Sequence, residues 1–219
     1  MTLSKAENKL FKEWKNHRDN FVSDGIVNEE AYAKSDKKLV FVLKEINSSE
    51  FGWDLREFLK NRNERSQTWN NVTRWVMGIR EMHKDFLWAY LKDISKKQRI
   101  EQIRSICCVN LRKSPGGHTT DGKRLIEIAY EDKDYINRQI NLYDADLIIC
   151  CGKMVGDLFK GIMKFERPLQ WAETRRGIQF YEFKPGRFII SYSHPEARVQ
   201  DNILYYGLID AVKEIYKMT

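Results

Sequence analysis

The sequence predicts an α/β fold, a three-layer αβα sandwich with a mainly parallel central sheet. Three short apolar runs support this prediction, because strands that are buried on both faces of a parallel sheet read as continuous hydrophobic segments. These runs lie at residues 39–43, 105–109 and 145–151, and segments with apolar residues at helical spacing separate them. Strands that alternate with helices indicate βαβ units, in which the strands run parallel.

The remaining elements follow from hydrophobic spacing along the chain. Residues 4–21 carry large apolar side chains at helical intervals, and Ser4 with Glu7 resembles a capping box at the start of this helix. The same criteria predict helices at 55–59, 72–82, 86–91, 135–142, 154–159 and 203–216, and strands at 178–183 and 188–192. We expect an N-terminal helical arm over residues 1–38 and one α/β domain over residues 39–219.

Composition places the chain in the folded globular class. It has 219 residues, of which 42% are hydrophobic and 32% charged, and this excludes wholesale disorder. An excess of 38 Lys and Arg over 31 Asp and Glu gives a formal charge of +7, which favours a polyanionic partner. We expect a cytoplasmic protein with neither a secretory signal nor a membrane span, since no apolar run approaches about 18 residues.

The cysteines form two adjacent pairs inside predicted strands, Cys107 with Cys108 and Cys150 with Cys151. Neighbouring strand residues point to opposite faces of a sheet, so neither pair is placed to form a disulfide or to chelate one metal ion. Buried free thiols are the expected state, and a four-thiolate site made by both pairs is the alternative. We therefore expect no metal and no cofactor.

Polar side chains follow three of the predicted strands, at the point where each strand ends. Glu45 and Asn47 follow the first, Asn110 and Lys113 follow the second, and His194 follows the last. The carboxyl ends of parallel strands lie on one edge of the sheet, where α/β proteins place their sites. Each residue alone is ordinary, since an Asn before a Gly-rich turn is usually a turn residue. Together they predict a single cleft.

A nucleotide-binding site is one alternative, because residues 146–159 combine a strand, a glycine turn and a helix. Gly152 and Gly156 in this segment give Gly-x-x-x-Gly. That spacing matches neither the dinucleotide fingerprint nor a phosphate loop. The strand-end residues are therefore the better guide to function.

The order and spacing of the strand-end motifs resemble the uracil-DNA glycosylase superfamily, most closely the branch called family 4. Members of that branch carry Gly-Glu-x-Pro-Gly after one strand, Asn-x-x-Lys-Cys-x-Pro-Pro after the next, and His-Pro after the last. The matching segments here are residues 44–48 (Lys-Glu-Ile-Asn-Ser), 110–116 (Asn-Leu-Arg-Lys-Ser-Pro-Gly) and 192–197 (Tyr-Ser-His-Pro-Glu-Ala). The branch usually holds an iron–sulfur cluster on four cysteines, and Ser114 replaces one of them here, so we expect no cluster.

The resemblance implies a monofunctional DNA glycosylase that flips out a pyrimidine and hydrolyses its N-glycosyl bond, leaving an abasic site. His194 would donate a hydrogen bond to the base oxygen on which negative charge collects. Asn47 would position the attacking water, because residues 45–49 also resemble the Gly-Ile-Asn-Pro-Gly motif of mismatch-specific thymine and uracil glycosylases. Glu45 is the alternative for this role.

Other residues are expected to bind the DNA substrate. Asn110 can pair with a pyrimidine edge, and Phe51 or Trp53 can stack on the base, with simple core packing as the alternative for these two aromatics. Contacts to the DNA backbone are expected from Lys113, Arg112, Gly116, Gly117, His118, Ser193 and Arg198. For any one of these residues, a solvated loop is the alternative. We expect the protein to act as a monomer on DNA.

The first motif departs from the family pattern, since it lacks the glycines and the proline, and Lys44, Ile46 and Asn47 change the wall of the base site. This change in the wall of the base site favours a modified pyrimidine over uracil, for example a modified cytosine of bacteriophage DNA. The protein would then be a bacterial antiviral glycosylase. A noncatalytic nucleic-acid-binding protein with a degenerate glycosylase fold is the alternative function, although such a protein has little need for His194.

Overall fold

The computed structural model describes residues 2–46, 52–61, 66–116, 121–165 and 170–217. Ten helices and seven strands are found in these ranges. The strands are β1 (Gly25–Ile26), β2 (Leu39–Leu43), β3 (Cys107–Asn110), β4 (Leu147–Cys151), β5 (Ala172–Glu173), β6 (Gln179–Lys184) and β7 (Arg187–Tyr192). The helices are α1 (Leu3–Lys15), α2 (Glu29–Ala33), α3 (Leu55–Asn61), α4 (Gln67–Arg80), α5 (Trp88–Leu91), α6 (Lys96–Arg104), α7 (Gly122–Glu131), α8 (Lys133–Leu142), α9 (Lys153–Ile162) and α10 (Asp201–Lys217).

The strands form one mixed sheet in the order β1-β3-β2-β4-β7-β6-β5. The four central strands β3, β2, β4 and β7 are parallel to one another. The outer strands β1, β6 and β5 pair antiparallel. The prediction of a mainly parallel sheet is thus correct for the centre. Strands β1 and β5 were missed because they contain only two residues each, whereas β6, at a predicted strand, pairs antiparallel with β7.

Helices cover both faces of the sheet, which gives the three layers that the sequence predicts. Successive residues of β2 alternate between two hydrophobic clusters, with Val40 and Val42 in one and Leu39, Phe41 and Leu43 in the other. Helices α1, α7, α8 and α9 supply the first cluster, and helices α3, α4, α5, α6 and α10 supply the second. Both faces of the central strands are therefore dry, in keeping with their continuous apolar sequence.

The N-terminal segment is built into this core. Phe11 and Trp14 of α1 belong to the same hydrophobic cluster as Val40, and β1 extends the sheet beyond β3. Residues on both sides of the predicted boundary at Leu39 thus share one core. None of the helices in the described ranges combines the length and the apolar character needed to cross a membrane.

The predicted capping box of Ser4 and Glu7 is wrong. The α1 cap is Thr2, whose side chain accepts from Lys5 N at 3.4 Å, and the Ser4 hydroxyl donates to Glu29 at 2.6 Å. Glu7 points into the core, where Oε1 accepts from Ile26 N at 3.0 Å. The carboxylate that resembles a capping group in sequence therefore fixes β1 against α1.

Candidate functional site

The carboxyl ends of the four parallel strands lie along one edge of the sheet, as predicted. Asn110 at the end of β3 is opposite Leu43 at the end of β2, and Cys151 of β4 is opposite Tyr192 of β7. Lys44 and Glu45 follow β2, Gly152 follows β4, and Ser193 and His194 follow β7. The sheet order therefore brings the three predicted motifs to the same edge.

A crevice is expected between β2 and β4 at this edge. The chain leaves β2 toward α3 on one face of the sheet, whereas it leaves β4 toward α9 on the opposite face. Adjacent parallel strands whose connections diverge in this way form the usual ligand crevice of an open α/β sheet. Lys44 and Glu45 stand on one side of this point, and His194 lies one strand beyond the other side.

His194 is half-buried and its ring orientation is fixed. The backbone N–H of Glu196 donates to Nδ1 of His194 at 3.1 Å, and Ala197 N donates to the His194 carbonyl at 2.9 Å. Burial lowers the pKa of His194, the Lys44 ammonium lowers it further, and the Glu196 carboxylate acts in the opposite direction. A neutral imidazole that accepts at Nδ1 carries its hydrogen on Nε2. His194 is therefore arranged as a neutral hydrogen-bond donor.

The turn after His194 is held by a polar cluster that the sequence analysis missed. Asn71 of α4 is buried, and its Nδ2 donates to the Pro195 carbonyl at 2.7 Å and to Asp201 of α10 at 2.9 Å. Arg74, also buried, donates to Asn71 Oδ1 at 2.6 Å and to Asp201 at 2.9 Å. The sequence signal for this cluster was the presence of polar residues on the buried face of a predicted helix, because buried polar groups require hydrogen-bond partners.

Glu45 is engaged inside the protein and does not face open solvent. Its Oε2 accepts from Arg112 Nη1 at 2.8 Å, and a Cβ on Gly116 would overlap the carboxylate, so the two segments are in close contact. Arg112 also donates to the Ser114 hydroxyl at 2.9 Å. Glu45 Oε1 is buried and accepts no hydrogen bond from a described residue. That oxygen lies against Gly116, since a Cβ at this glycine would stand 2.5 Å from it.

The expected phosphate-binding role of Lys113 is wrong. Its side chain is fully buried, and Nζ lies 2.6 Å from each carboxylate oxygen of Asp24, which is also fully buried. Burial lowers the pKa of the Lys113 ammonium, and Asp24 opposes this shift. The spacing after β3 indicated the correct edge of the sheet, but the side chain turns inward to meet a carboxylate from the N-terminal segment.

Arg112 and Gly116, two of the expected DNA contacts, are bonded to the segment that follows β2. The Arg112 guanidinium is paired with Glu45 and its side chain is 19% exposed, while Gly116 N donates to the Ile46 carbonyl at 2.8 Å. Both residues therefore join the segments after β2 and β3 to each other.

Asn110 and Trp53 lie next to the same short segment. Asn110 is buried, and its backbone N and its side-chain Nδ2 both donate to Asp24 Oδ2, at 2.7 and 3.3 Å. Ser23, the preceding residue, donates its N–H to the Trp53 carbonyl at 3.1 Å. The half-buried Trp53 ring packs against Phe58, with 4.8 Å between ring centroids. Asn110 and Trp53, two of the three predicted base-binding residues, are therefore held by residues 23–24.

The other predicted residues are distributed as follows. Ser193 lines a pocket of about 320 Å³ together with Lys153, Gln179 and Ser191. Arg198 is exposed and forms no hydrogen bond or ion pair with a residue that the structure describes. Asn47, Phe51, Gly117 and His118 lie outside the described residues.

The four cysteines are buried and free, as predicted. Burial raises the pKa of each thiol, so these groups are poor nucleophiles and poor metal ligands. Within the described ranges, no group of three or more His, Cys, Asp or Glu side chains could hold a metal ion.

The edge therefore combines a neutral imidazole donor with a carboxylate, one buried oxygen of which accepts no hydrogen bond from a described residue. Residues 23–24 contact both a buried amide, Asn110, and the chain that carries the half-buried indole of Trp53. These groups can polarise a carbonyl oxygen, bind a water molecule and read the edge of a planar heterocycle. No protein-family model matches this chain, and no curated protein sequence aligns with it significantly.

Proposed function

We propose that the protein is a DNA glycosylase that flips out a pyrimidine and hydrolyses its N-glycosyl bond, leaving an abasic site. This proposal rests mainly on the His194 imidazole, which is held as a neutral Nε2–H donor at the carboxyl edge of the sheet. In this reaction negative charge develops on the departing base, and a fixed donor stabilises that charge more than the charge of the ground state.

The neutral state of His194 suits this role. Burial and the nearby Lys44 ammonium both disfavour the imidazolium. A neutral imidazole donates a hydrogen bond without transferring its proton. This hydrogen bond becomes stronger as negative charge develops on the base oxygen in the transition state. The buried partners of the 194–197 turn limit ring motion, and preorganisation of this kind is the main source of such stabilisation.

Water activation is assigned to Glu45 or Asn47. Glu45 Oε1 is an acceptor without a partner among the described residues, whereas Oε2 is held by Arg112. A carboxylate fixed in this way can orient a water molecule and stabilise positive charge on the sugar. Asn47 lies only two residues further along the chain, so both residues stay candidates for this step.

The base would occupy the space between the ends of β3 and β7. Three strand spacings, roughly 14 Å, separate these strands. Asn110 ends β3 and His194 follows β7, so a pyrimidine with its sugar would be bound between these two residues. Trp53 is the proposed stacking residue, since its carbonyl is bonded to Ser23, the neighbour of the Asn110 partner Asp24, and an aromatic face would offset part of the cost of flipping the base.

The proposed substrate is a modified pyrimidine, such as a modified cytosine of bacteriophage DNA, and the proposed role is antiviral defence. Lys44 supports this choice, because it stands where the uracil-DNA glycosylase motif has a glycine, and its positive charge lowers the pKa of His194. A lysine at this position gives the base site a larger and positively charged wall, in contrast to the small neutral wall that a glycine gives. Release of the modified base in preference to uracil is the expected outcome.

Replacement of His194 by Ala tests the reaction directly. Loss of one preorganised donor should lower base release by about a hundredfold while DNA binding is retained. Bases released from a panel of normal and modified DNAs are measured by mass spectrometry, and His83→Ala, at an exposed histidine, serves as the matched control. Wild-type protein that binds DNA but releases no base would instead indicate the noncatalytic binding protein.

A further inference from the structure

Asp24 is a buried carboxylate that the proposed reaction does not use directly. Its side chain is fully buried, and its two oxygens accept from Lys113 Nζ, from Gln139 Nε2 at 2.8 Å, and from two nitrogens of Asn110. The Lys113 ammonium neutralises its charge. Four donating groups from three parts of the chain thus converge on one carboxylate.

This arrangement fixes the orientation of the Asn110 side chain. Asp24 Oδ2 accepts from Asn110 N at 2.7 Å and from Asn110 Nδ2 at 3.3 Å, so the amide nitrogen faces the carboxylate. An ionised carboxylate only accepts hydrogen bonds, and it therefore rejects the flipped amide. Asn110 Oδ1 consequently points away from Asp24, and this buried atom accepts no hydrogen bond from any described residue.

Backbone hydrogen bonds of the residues next to Asp24 connect this segment to the turn after β3 and to the chain around Trp53. Val22 N donates to the Lys113 carbonyl at 2.7 Å, Ser23 N donates to the Trp53 carbonyl at 3.1 Å, and Leu55 N donates to the Ser23 carbonyl at 2.8 Å. One short segment therefore holds the turn after β3 on one side and the chain that carries Trp53 on the other.

We infer that Asp24 is a positioning residue, which presents Asn110 Oδ1 as a fixed hydrogen-bond acceptor to the flipped base. This inference rests on the proposed function and adds a substrate requirement. Because an unpaired buried acceptor is costly, the site favours a base that offers N–H at the facing edge. Uracil offers N3–H and cytosines offer the 4-amino group, whereas an edge methylated at that nitrogen offers no donor.

The double variant Asp24→Asn with Lys113→Met removes both buried charges together and leaves no unpaired ion. Asn at position 24 can donate as well as accept, so the Asn110 amide is free to flip. Gln139→Leu is the matched control, because Gln139 also donates to Asp24 but does not contact Asn110 in any described hydrogen bond. Thermal melts show which variants fold.

The measured quantity is the ratio of release rates for a parent base and its N-methylated counterpart. The probes are oligonucleotides with uracil or 3-methyluracil, and with 5-hydroxymethylcytosine or its N4,N4-dimethyl form. For the pair whose parent base the wild-type protein releases, we expect a ratio of at least about tenfold, from the loss of one hydrogen bond to a buried group. The ratio should approach one in the double variant and stay at the wild-type value in Gln139→Leu.

Four outcomes would count against the inference or the function on which it rests. No release by wild-type protein from any probe or phage DNA contradicts the proposed function itself. Release by wild-type protein with an unchanged ratio in a folded double variant contradicts only the role of Asp24, and so does an equal fall in the Gln139→Leu control. If the double variant does not fold, hydrogen exchange of the Asn110 side-chain amide is measured in the wild-type protein instead. Rapid exchange of both amide hydrogens would exclude the hydrogen bond from Asn110 Nδ2 to Asp24 and would contradict the inference.

Discussion

Replacement of Lys113 by Met separates a core role from a DNA-binding role. The substitution keeps the volume of the side chain but leaves the Asp24 carboxylate buried with only neutral donors. Removal of one partner from a buried ion pair typically costs about 3–5 kcal/mol, because the remaining charge stays desolvated. In a domain of this length each kcal/mol lowers the Tm by roughly 2–4 °C. We therefore expect the Tm to fall by about 10 °C.

Two assays follow the Lys113→Met variant. Thermal denaturation at neutral pH measures the stability, and DNA titrations at several salt concentrations measure the number of phosphate contacts. Because Lys113 is fully buried, the salt dependence should match that of the wild-type protein. Arg198→Gln is the opposite control, with an unchanged Tm and a salt dependence reduced by up to about one charge. A Lys113→Met variant with normal Tm and a flatter salt dependence would refute the buried role.

Two further predictions concern proton binding and backbone conformation. Lys44→Met removes a positive charge that lowers the pKa of His194, and the pKa of His194 should therefore rise. The acid limb of the pH–rate profile for base release should then move to higher pH. A limb that stays in place or moves to lower pH would contradict the interaction between Lys44 and His194. Gly25→Ala should lower stability by at least about 2 kcal/mol, because φ is +117° and a Cβ would overlap the Glu7 carboxylate. Gly186→Ala, at φ +69° with open space around it, should cost only about 1 kcal/mol in the same urea titration, and equal losses would argue against the overlap.

The central strands could be predicted from sequence because most of their residues are apolar. Five consecutive apolar residues in β2 and again in β4 bury on both faces, and few other elements accept such a run. The placement of His194 followed from the same logic, since a parallel strand must end at the edge where its neighbours end. The edge of the sheet was thus predictable from local patterns.

The direction of the side chains at that edge was not predictable. Lys113 looks like a solvated loop lysine in sequence, and only the arrival of Asp24 from 89 positions earlier turns it inward. Glu45 likewise pairs with Arg112 across 67 positions. Partners of this kind are chosen by tertiary packing, which leaves no periodic trace in the chain. Segments such as β1 and α2 were missed for a related reason, since they have two and five residues.

The Asp24–Lys113 pair has a consequence for synthesis on the ribosome. At ordinary elongation rates, Lys113 is made on the order of ten seconds after Asp24, and Gln139 follows later still. During that interval β1 has no sheet to join, because its partner among the described strands is β3, at residues 107–110. The beginning of the chain is therefore among the last parts to acquire its final surroundings, and a nascent protein arrested before residue 113 would leave this carboxylate in water.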